Sequence, residues 1–557
     1  MSQLINPEAG FIKSHLIENQ IIGPSYSHYD GLSGFQDYGV IGFQIKKRLL
    51  NHWRNHFLHT EEFDEIETPI ITPREVLKAS GHVDRFSDYI ITNTEGKDER
   101  ADHLVKKHMK ETKSELIKEI DAWDGQQLET YINKYQLAGQ DVEVKKKKLM
   151  YHLSENEFMR PELAQGIFVN FNQIYLRKNS LPFGIAQIGK SYRNEISPKP
   201  FLRLREFTQA EIEYFFDPEK PEYKNFSEIQ EQIIPLFSAQ GQKNGENSIN
   251  IRLIDAFNQK LIKTEILAYF LGRIFQFALS IGLDHTRIRF RQHLPNEMAH
   301  YASDCWDLEC LIDDDWVECV GCANRQDHDI KAHSTKKEMI VKRNGEKIIY
   351  YIIKPDVKKI SLKYQEKTQL ILKSLQKLQF QEINQLQHTI DLNIGEEIIS
   401  LDSSMYSPIK MKKYDEYYPH VIEPSFGIDR LMFALLDHNL KLREDDQKRG
   451  VLTLKPFLAP YDVAIFQLSN KPELIDYTLK IKEQLKKHNF CCFTDLSSTA
   501  IGKRYVRADE IGIPLAVTID FETLKNETLT IRERDSKTQI RLNKDQLIEY
   551  IFNLLKL

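Results

Sequence analysis

LPFGIAQIGKSYRNEISPKPFLRLREFTQAEIEYFF, residues 181–216, reads as two strands joined by a basic loop that contains prolines. In the first strand, period-two alternation sends Gln187, Gly189, Ser191, Arg193 and Glu195 to one face and Ala186, Ile188, Lys190 and Tyr192 to the other. In the second, Arg205, Phe207, Gln209, Glu211 and Glu213 share a face, and Thr208, Ala210, Ile212 and Tyr214 share its opposite. One face therefore gathers arginines and carboxylates around a single phenylalanine. A solvated hairpin face is the plain alternative. Paired charges flanking one aromatic ring suit a nucleotide and a carboxylate better.

At 557 residues the chain is too long for one core and predicts about two to four domains. A net charge of −5 gives no overall basic field, so any nucleic-acid contact must come from local patches such as Lys145 to Lys148. No apolar run reaches the length of a membrane span, and the first residues carry neither a signal-peptide core nor a transit composition. A cytoplasmic location with no membrane association is expected. The six cysteines are sparse, as expected of reduced thiols. Cys305, Cys310, Cys319 and Cys322 offer a zinc set, but the odd spacing of Cys319 and Cys322 within one strand points them to opposite faces, so buried thiols and no zinc are expected.

Working outward, Ile41, Ile45, Leu49, Trp53 and Phe57 recur at intervals of four and predict an amphipathic helix entered from a glycine turn. EIETPIITP follows as a short strand whose Pro69 suits an edge or a subunit boundary. Arg160, Pro161 and Glu162 precede a helix with Ile167, Phe168 and Phe171 on its apolar face, and a proline and an acid suit its first turn. After the central hairpin, the segment to about Asn250 reads as helical and peripheral, and the helix of residues 261–282 and the strand TRIRFRQH rejoin the core. CWDLECLIDDDWVECVGCANR reads as a second hairpin, with Glu318 in a strand and Arg325 just past its end. PHVIEPSFGIDRLMFALLDH is a strand, a glycine and a helix whose first turn carries Arg430, a junction suited to a phosphate. Two lysine-rich stretches interrupt this order. The tail alternates strands and helices as an α/β domain, with a basic, aromatic loop STAIGKRYVRADEIGI.

The segments SGHVDRF, RPELAQGIFVNF, QIGKSYRNEISP, REFTQAEIEYFFDP, VGCANR and EPSFGIDR, in this order, resemble the signatures of class II aminoacyl-tRNA synthetases, and among them the glycyl-tRNA synthetases of the homodimeric eukaryote- and archaeon-like type. The likeness covers nearly the whole chain. It implies an α+β fold: the class II antiparallel sheet flanked by helices, with insertions, plus a C-terminal α/β anticodon-binding domain. The corresponding division is 1–92, the N-terminal part of the catalytic domain; 93–148, a first insertion; 149–325, the catalytic core; 326–414, a second insertion; 415–451, the third class motif; and 452–557, the anticodon-binding domain.

The resemblance implies glycine, ATP and tRNA(Gly) as substrates, Mg2+ as the accompanying ion and a homodimer as the assembly. Arg193 then corresponds to the arginine on the ATP α-phosphate, Glu195 to the reader of the adenine amino group, Phe207 to the adenine platform with Arg205 nearby, Arg430 to the γ-phosphate arginine and Glu318 to the Mg2+-side carboxylate. Glu162, Glu211 and Glu423 are implied for the glycine ammonium, Arg325 for its carboxylate and Ser425 beside its α-carbon. Lys503, Arg504 and Arg507 are the tRNA-contact candidates in the tail. A pocket that selects glycine works by exclusion, because a larger amino acid clashes near the α-carbon; no editing domain is expected. Leu163 departs from the family, which usually has threonine there. A non-catalytic relative such as a polymerase accessory subunit loses active-site charges that are present here, and a sibling enzyme for proline, threonine or histidine predicts other residues in place of EPSF and VGCANR.

Overall fold

The computed structural model describes residues 4–93, 96–112, 114, 120, 123–139, 141–298, 302–383, 389–395 and 397–555. Of the expected first insertion, residues 94, 95, 113, 115–119, 121, 122 and 140 lie outside these. The elements that build the central layer are helix α1 (Val40–Trp53), strand β1 (Asp64–Glu65), helix α2 (Ala164–Val169), β2 (Phe183–Tyr192), β3 (Glu206–Phe216), β4 (Ile233–Phe237), β5 (Ile249–Arg252), α3 (Glu265–Ser280), β6 (Ile288–Gln292), β7 (Asp304–Ile312), β8 (Asp315–Gln326), α4 (His328–His333), β9 (His420–Gly427) and α5 (Ile428–Asn439). The strands form one nine-stranded sheet in the order β5-β4-β6-β7-β8-β9-β3-β2-β1. Its pairs are antiparallel except β4 with β6 and β1 with β2.

Alternation divides this sheet into two unlike faces. Ala210, Ile212, Tyr214 and Phe216 of β3, Ile422 and Phe426 of β9 and Trp306 and Leu308 of β7 point into one large core. Helices α1, α3 and α5 cover that side: Ile45, Leu49 and Trp53 of α1 are fully buried, and the Trp53 and Phe426 rings meet edge to face at 5.6 Å. Each such side chain contributes roughly 1.5–3 kcal/mol by leaving water, so the layer is held mainly by this apolar face. The four-residue periodicity continues past α1 into Phe57, which is buried in a π-helical turn. Helix α3 begins where Thr264 Oγ1 accepts the Leu267 N–H at 3.3 Å, which satisfies one of the unpaired donors of a helix start.

A buried charge cluster ties three elements together beneath the site. Lys46 of α1 places Nζ 2.6 Å from Asp429 of α5 and donates to Thr208 Oγ1 at 2.7 Å, and the Thr208 N–H donates to Asp429 at 2.6 Å. Removing one partner of such a pair costs about 3–5 kcal/mol. The start of α5, one residue before Arg430, is thereby fixed to β3.

Several local expectations change. The EIETPIITP segment holds two short strands, β1 in the large sheet and Ile71–Pro73, which pairs with Glu157–Met159; Pro69 lies between them, where its missing N–H disrupts no ladder. Pro161 and Glu162 precede the Leu163 N-cap of α2 instead of opening its first turn. The stretch before Asn250 contributes β4 and β5 to the sheet edge, because Ile234 and Leu236 alternate into the core. Arg325 lies within β8, not beyond it.

The described residues of 87–148 add a three-stranded sheet and two α-helices around Ile91, Val105, Met109, Leu128 and Ile132; the lysine run 145–148 is one of its strands, and Lys147 pairs with Asp98 at 2.7 Å. Residues 337–419 form a separate compact unit with its own core of Ile353, Ile360, Ile371, Leu375, Leu392 and Leu401, built on the antiparallel pair Val341–Pro355 and Tyr406–Tyr417.

The C-terminal part contains β10 (Val463–Gln467), α6 (Pro472–Lys487), β11 (Cys492–Thr494), α7 (Ile501–Glu510), β12 (Leu515–Ile519), β13 (Thr528–Glu533), β14 (Gln539–Asn543) and α8 (Leu547–Leu555). The sheet order is β11-β10-β12-β13-β14, parallel across its first three strands and antiparallel beyond. This is the α/β layout expected of the alternating tail.

Candidate active site

The second face of the large sheet carries the charge. Register places Gln187 opposite Glu211, Gly189 opposite Gln209 and Ser191 opposite Phe207; Glu211 then faces Ser425, Ser425 faces Gly321 and Ala323 faces Glu423. The alternation read from the two hairpins thus extends over four adjacent strands. Gly189 is required here: a Cβ would lie 2.3 Å from Nη2 of Arg160, whose guanidinium crosses β2 to reach the carbonyls of Lys190 at 2.8 Å and Thr68 at 2.8 Å.

One cleft on this face is lined by Arg193, Glu195, Arg203, Phe207, Gln209, Glu318, Ser425, Gly427 and Arg430, among others. Arg193 and Glu195 lie just past the end of β2, in the loop. The main chain still positions them: the Arg193 N–H donates to the Arg205 carbonyl at 2.9 Å and the Glu195 N–H to the Arg193 carbonyl at 2.7 Å. Arg205 precedes β3, and its Nε donates to the Glu195 carbonyl at 3.1 Å. The Arg193 guanidinium sits 5.3 Å from the Phe207 ring centre and donates from Nε to the Pro161 carbonyl at 3.2 Å. On the far side, Arg430 donates from Nε to the Leu202 carbonyl at 2.8 Å and from Nη1 to the Glu318 carbonyl at 2.9 Å, with the Glu318 carboxylate 3.4 Å away. A flat ring, two arginines and a carboxylate facing one opening can stack an aromatic base and pair with phosphates.

Beside it on the same face lies a buried, carboxylate-rich cluster. Glu211 accepts the Leu163 N–H and the Ser425 hydroxyl, each at 2.8 Å. Arg325 donates from Nη1 to Glu423 at 2.8 Å. Glu162 accepts from Gln165 at 2.9 Å and lies 3.4 Å from His82 Nε2. Burial works against the Glu162 carboxylate, yet His82 and Arg325 hold it well below the usual carboxylate range. Burial and the charge of Glu162 raise Glu211. Glu423 is pushed up to about 8 by burial and by Glu211 and Glu162, even with Arg325 beside it. Glu213 is raised by burial and by Glu423, and neither of its oxygens has a hydrogen-bond partner. A cluster of buried carboxylates with one arginine among them has the charge complement to accept a small cation or zwitterion.

The sequence candidates therefore converge in two groups. Arg193, Glu195, Phe207, Glu318 and Arg430 share the outer cleft, with Arg205 behind it, and Glu162, Glu211, Arg325, Glu423 and Ser425 share the inner pocket. Four residues of these groups were missed. Asp329 binds Arg325 from a fold contact that no strand or helix period encodes, and Gln165 bridges Glu162 and Asp329. Glu213 lies on the already charged face of β3 and was legible as a further carboxylate. Asp307 of β7 faces Gly321 and is pushed up to about 6 by burial and by Glu318. Alternation along β7, with Cys305, Asp307 and Glu309 on one face, carried that signal.

Two further outcomes concern the tail and the thiols. STAIGKRYVRADEIGI is largely helix α7, not a loop. Arg504 is only 2 % exposed, and its guanidinium binds the carbonyls of Thr499, Asp495 and Gln467, so it holds the chain entering α7 and does not present itself to RNA. Lys503 and Arg507 are exposed. Cys305, Cys310, Cys319 and Cys322 are free, buried thiols. Among the described residues, one cluster has metal-ligand spacing: His293, Cys305 and Asp307, in which His293 Nε2 and an Asp307 oxygen are already 2.7 Å apart.

Residues 148–439 match the tRNA synthetase class II core domain (G, H, P, S and T), and residues 462–554 match the anticodon binding domain. The chain is 38 % identical to the glycine–tRNA ligase of Methanocaldococcus jannaschii, over 96 % of this chain and 96 % of that protein. It is 36 % identical to glycine–tRNA ligase 2 of Saccharomyces cerevisiae, over 100 % of this chain and 97 % of that protein. The Drosophila melanogaster glycine–tRNA ligase is 35 % identical over 95 % of this chain and 75 % of its own length. In fold the chain is similar to the crystal structure of prolyl-tRNA synthetase from Cryptosporidium parvum with halofuginone and AMPPNP, at a TM-score of 0.54 and 12 % identity, covering 99 % of this chain and 77 % of that one. With relatives matching over nearly their whole length and the class II core and anticodon binding domain matched in order, the chain belongs to the glycine–tRNA ligases of class II, aminoacyl-tRNA ligases that use ATP to attach glycine to tRNA.

Proposed function

We propose that the two groups of residues divide the substrates along the sheet. Adenine lies between Phe207 and Arg430, with Glu195 reading its amino group and Arg205 supporting the loop; Arg193 grips the α-phosphate and Arg430 the γ-phosphate. Glycine lies deeper, its ammonium among Glu162, Glu211 and Glu423, its carboxylate at Arg325 and its α-carbon against Ser425. The observation that carries this reading is the shared face: β3, β8 and β9 present Phe207, Glu211, Glu318, Arg325, Glu423 and Ser425, with Arg193 and Glu195 in the loop after β2 and Arg430 in the first turn of α5. The glycine carboxylate oxygen then attacks the α-phosphorus in line, the bond to pyrophosphate breaks, and the terminal 3′-hydroxyl of tRNA(Gly) displaces AMP from the adenylate carbonyl. Placement and charge neutralisation by Arg193 supply the catalysis.

Mg2+ fits the carboxylates of Glu318 and Asp307. Asp307 is raised by burial and by Glu318, a like-charge pairing that a hard divalent cation relieves. When bound, the ion neutralises the phosphate charge. In the tail, Lys503 and Arg507 are the proposed tRNA contacts. We assign residues 1–92, 149–336 and 420–451 to the catalytic domain, 93–148 and 337–419 to insertions and 452–557 to anticodon binding. A homodimer is supported by Ile70, Ile71 and Val169, apolar side chains exposed on the Pro69 side of the molecule. The cytoplasm, where tRNA is charged, is the proposed location. Among the described residues no helix is long and apolar enough to cross a membrane.

Glycine-dependent exchange of pyrophosphate into ATP tests the assignment. Arg193→Ala is expected to abolish exchange while tRNA binding persists; normal exchange by this variant overturns the role given to Arg193. Sedimentation of the full chain tests the dimer.

A further inference from the structure

The glycine pocket contains a buried residue with no assigned part in the reaction. Asp329 is 2 % exposed and sits in the first turn of α4, four residues beyond Arg325. It takes one whole edge of the Arg325 guanidinium: Nε donates to Oδ2 at 2.8 Å and Nη2 to Oδ1 at 2.9 Å. The other end of the fork faces the pocket, with Nη1 on Glu423 at 2.8 Å and Nη2 4.0 Å from Glu162. Gln165, itself 2 % exposed, donates to both Glu162 at 2.9 Å and Asp329 at 3.2 Å and accepts from His333 Nε2 at 2.7 Å. A fully buried arginine needs a carboxylate partner for folding alone. That requirement does not by itself call for a bidentate hold on the edge away from the pocket, or for an amide linking that hold to Glu162.

We infer that Asp329 is a positioning residue for glycine recognition, fixing the Arg325 fork toward the substrate carboxylate and, through Gln165, setting its distance from the ammonium-binding Glu162. The physical need follows from the pocket's composition. An arginine of undivided charge beside Glu162, Glu211 and Glu423 would close onto those carboxylates and fill the site with its own ion pairs. Asp329 balances that charge from behind. Arg325 then pairs with Glu423 at 2.8 Å but stays 4.0 Å from Glu162, which keeps Glu162 and Glu211 apart from it for the ammonium. The inference rests on the proposed glycine site.

The test is steady-state pyrophosphate exchange by the full chain carrying Asp329→Asn. The variant keeps the size of the side chain but removes one acceptor and the charge. We expect the KM for glycine to rise about tenfold or more, with the KM for ATP and the affinity for AMPPNP within about twofold of wild type. The acid limb of the pH dependence of glycine KM is expected to move to lower pH, because Arg325 then acts more fully on Glu423 among Glu162, Glu211 and Glu213. An unchanged glycine KM overturns the inference. A parallel loss in glycine KM, ATP KM and thermal stability also overturns it, since that is the signature of a folding role. If Asp329→Asn does not fold, Gln165→Met replaces it, with a smaller rise in glycine KM alone expected and an unchanged value overturning. Arg325→Lys run beside them separates the two levels: an unchanged glycine KM in that variant refutes the site assignment itself, whereas a raised KM there with none in Asp329→Asn refutes only the positioning role.

Discussion

Ser425 Oγ donates to Glu211 at 2.8 Å, across the β3–β9 ladder, where the two residues are register partners. The Leu163 N–H donates to the other oxygen of the same carboxylate at 2.8 Å. Ser425→Ala leaves a buried carboxylate with one partner fewer, and a hydrogen bond to a charged group is worth about 1.5–3 kcal/mol. Glycine KM is expected to rise about tenfold in pyrophosphate exchange, with ATP KM little changed.

Leu163 contributes to that bond through its main chain. Its side chain is fully buried. Leu163→Thr, the residue usual in the family, is therefore expected to leave glycine KM within about threefold while lowering stability by about 1–3 kcal/mol, through lost apolar volume and a buried hydroxyl. Thermal unfolding and exchange kinetics on one preparation check both halves.

Glycine binding should weaken on acidification. Glu423 is pushed up to about 8 by burial and by Glu211 and Glu162, and Glu211 is raised by burial and Glu162. Arg325 and Glu213 also face this group. An ammonium favours the ionised carboxylates, so binding releases protons and glycine KM climbs as pH falls through about 8, by up to about tenfold per unit for one proton. Calorimetry in buffers of different ionisation enthalpy reads the release. A Glu423→Gln variant should bind poorly and lose most of this slope.

Glu213 predicts a pH effect on stability. Its carboxyl is raised well above the ordinary range by burial and by Glu423, so the folded chain holds a proton that the unfolded chain releases. This stability is fully present below the unfolded pKa of about 4.3 and is lost as pH rises toward the folded value. Glu213→Gln copies the protonated form. The variant should be more stable than wild type at pH 7 to 8, with the gap in denaturation midpoint closing below about pH 4.

In the tail, Arg504→Ala should lower thermal stability by about 2 kcal/mol or more, since the buried carbonyl of Gln467 and the part-buried ones of Asp495 and Thr499 lose their donor. Lys503→Ala and Arg507→Ala should leave stability nearly unchanged and weaken tRNA binding in a salt-dependent manner. A filter-binding series at several salt concentrations separates the two classes.

Strand alternation from residue 183 to 216 sufficed to place Phe207, Gln209, Glu211 and Glu213 on one face, because a period of two leaves a side chain only two directions. The recurrence at intervals of four from Ile41 to Phe57 likewise determined the buried side of α1. Spacing failed where the decisive contact joins the end of one element to another. Lys503, Arg504 and Arg507 look alike in a string of residues, yet only Arg504 turns inward, toward carbonyls contributed by β10 and the loop before α7. The strand content before Asn250 was missed because β4 and β5 are short edge strands whose burial depends on the sheet beside them.

What the amino-acid order settled by itself was local direction: which side chains share a face, and the succession of motifs that marks the family. Which faces meet, and hence which charges are neutralised, belonged to the tertiary structure. It set Asp329 against Arg325, left Glu213 without a hydrogen bond among the described residues and brought Glu162, Glu211 and Glu423 into one buried cluster. The strength of a charge depends on its distance from other charges and from water, and neither distance is a function of spacing along the chain.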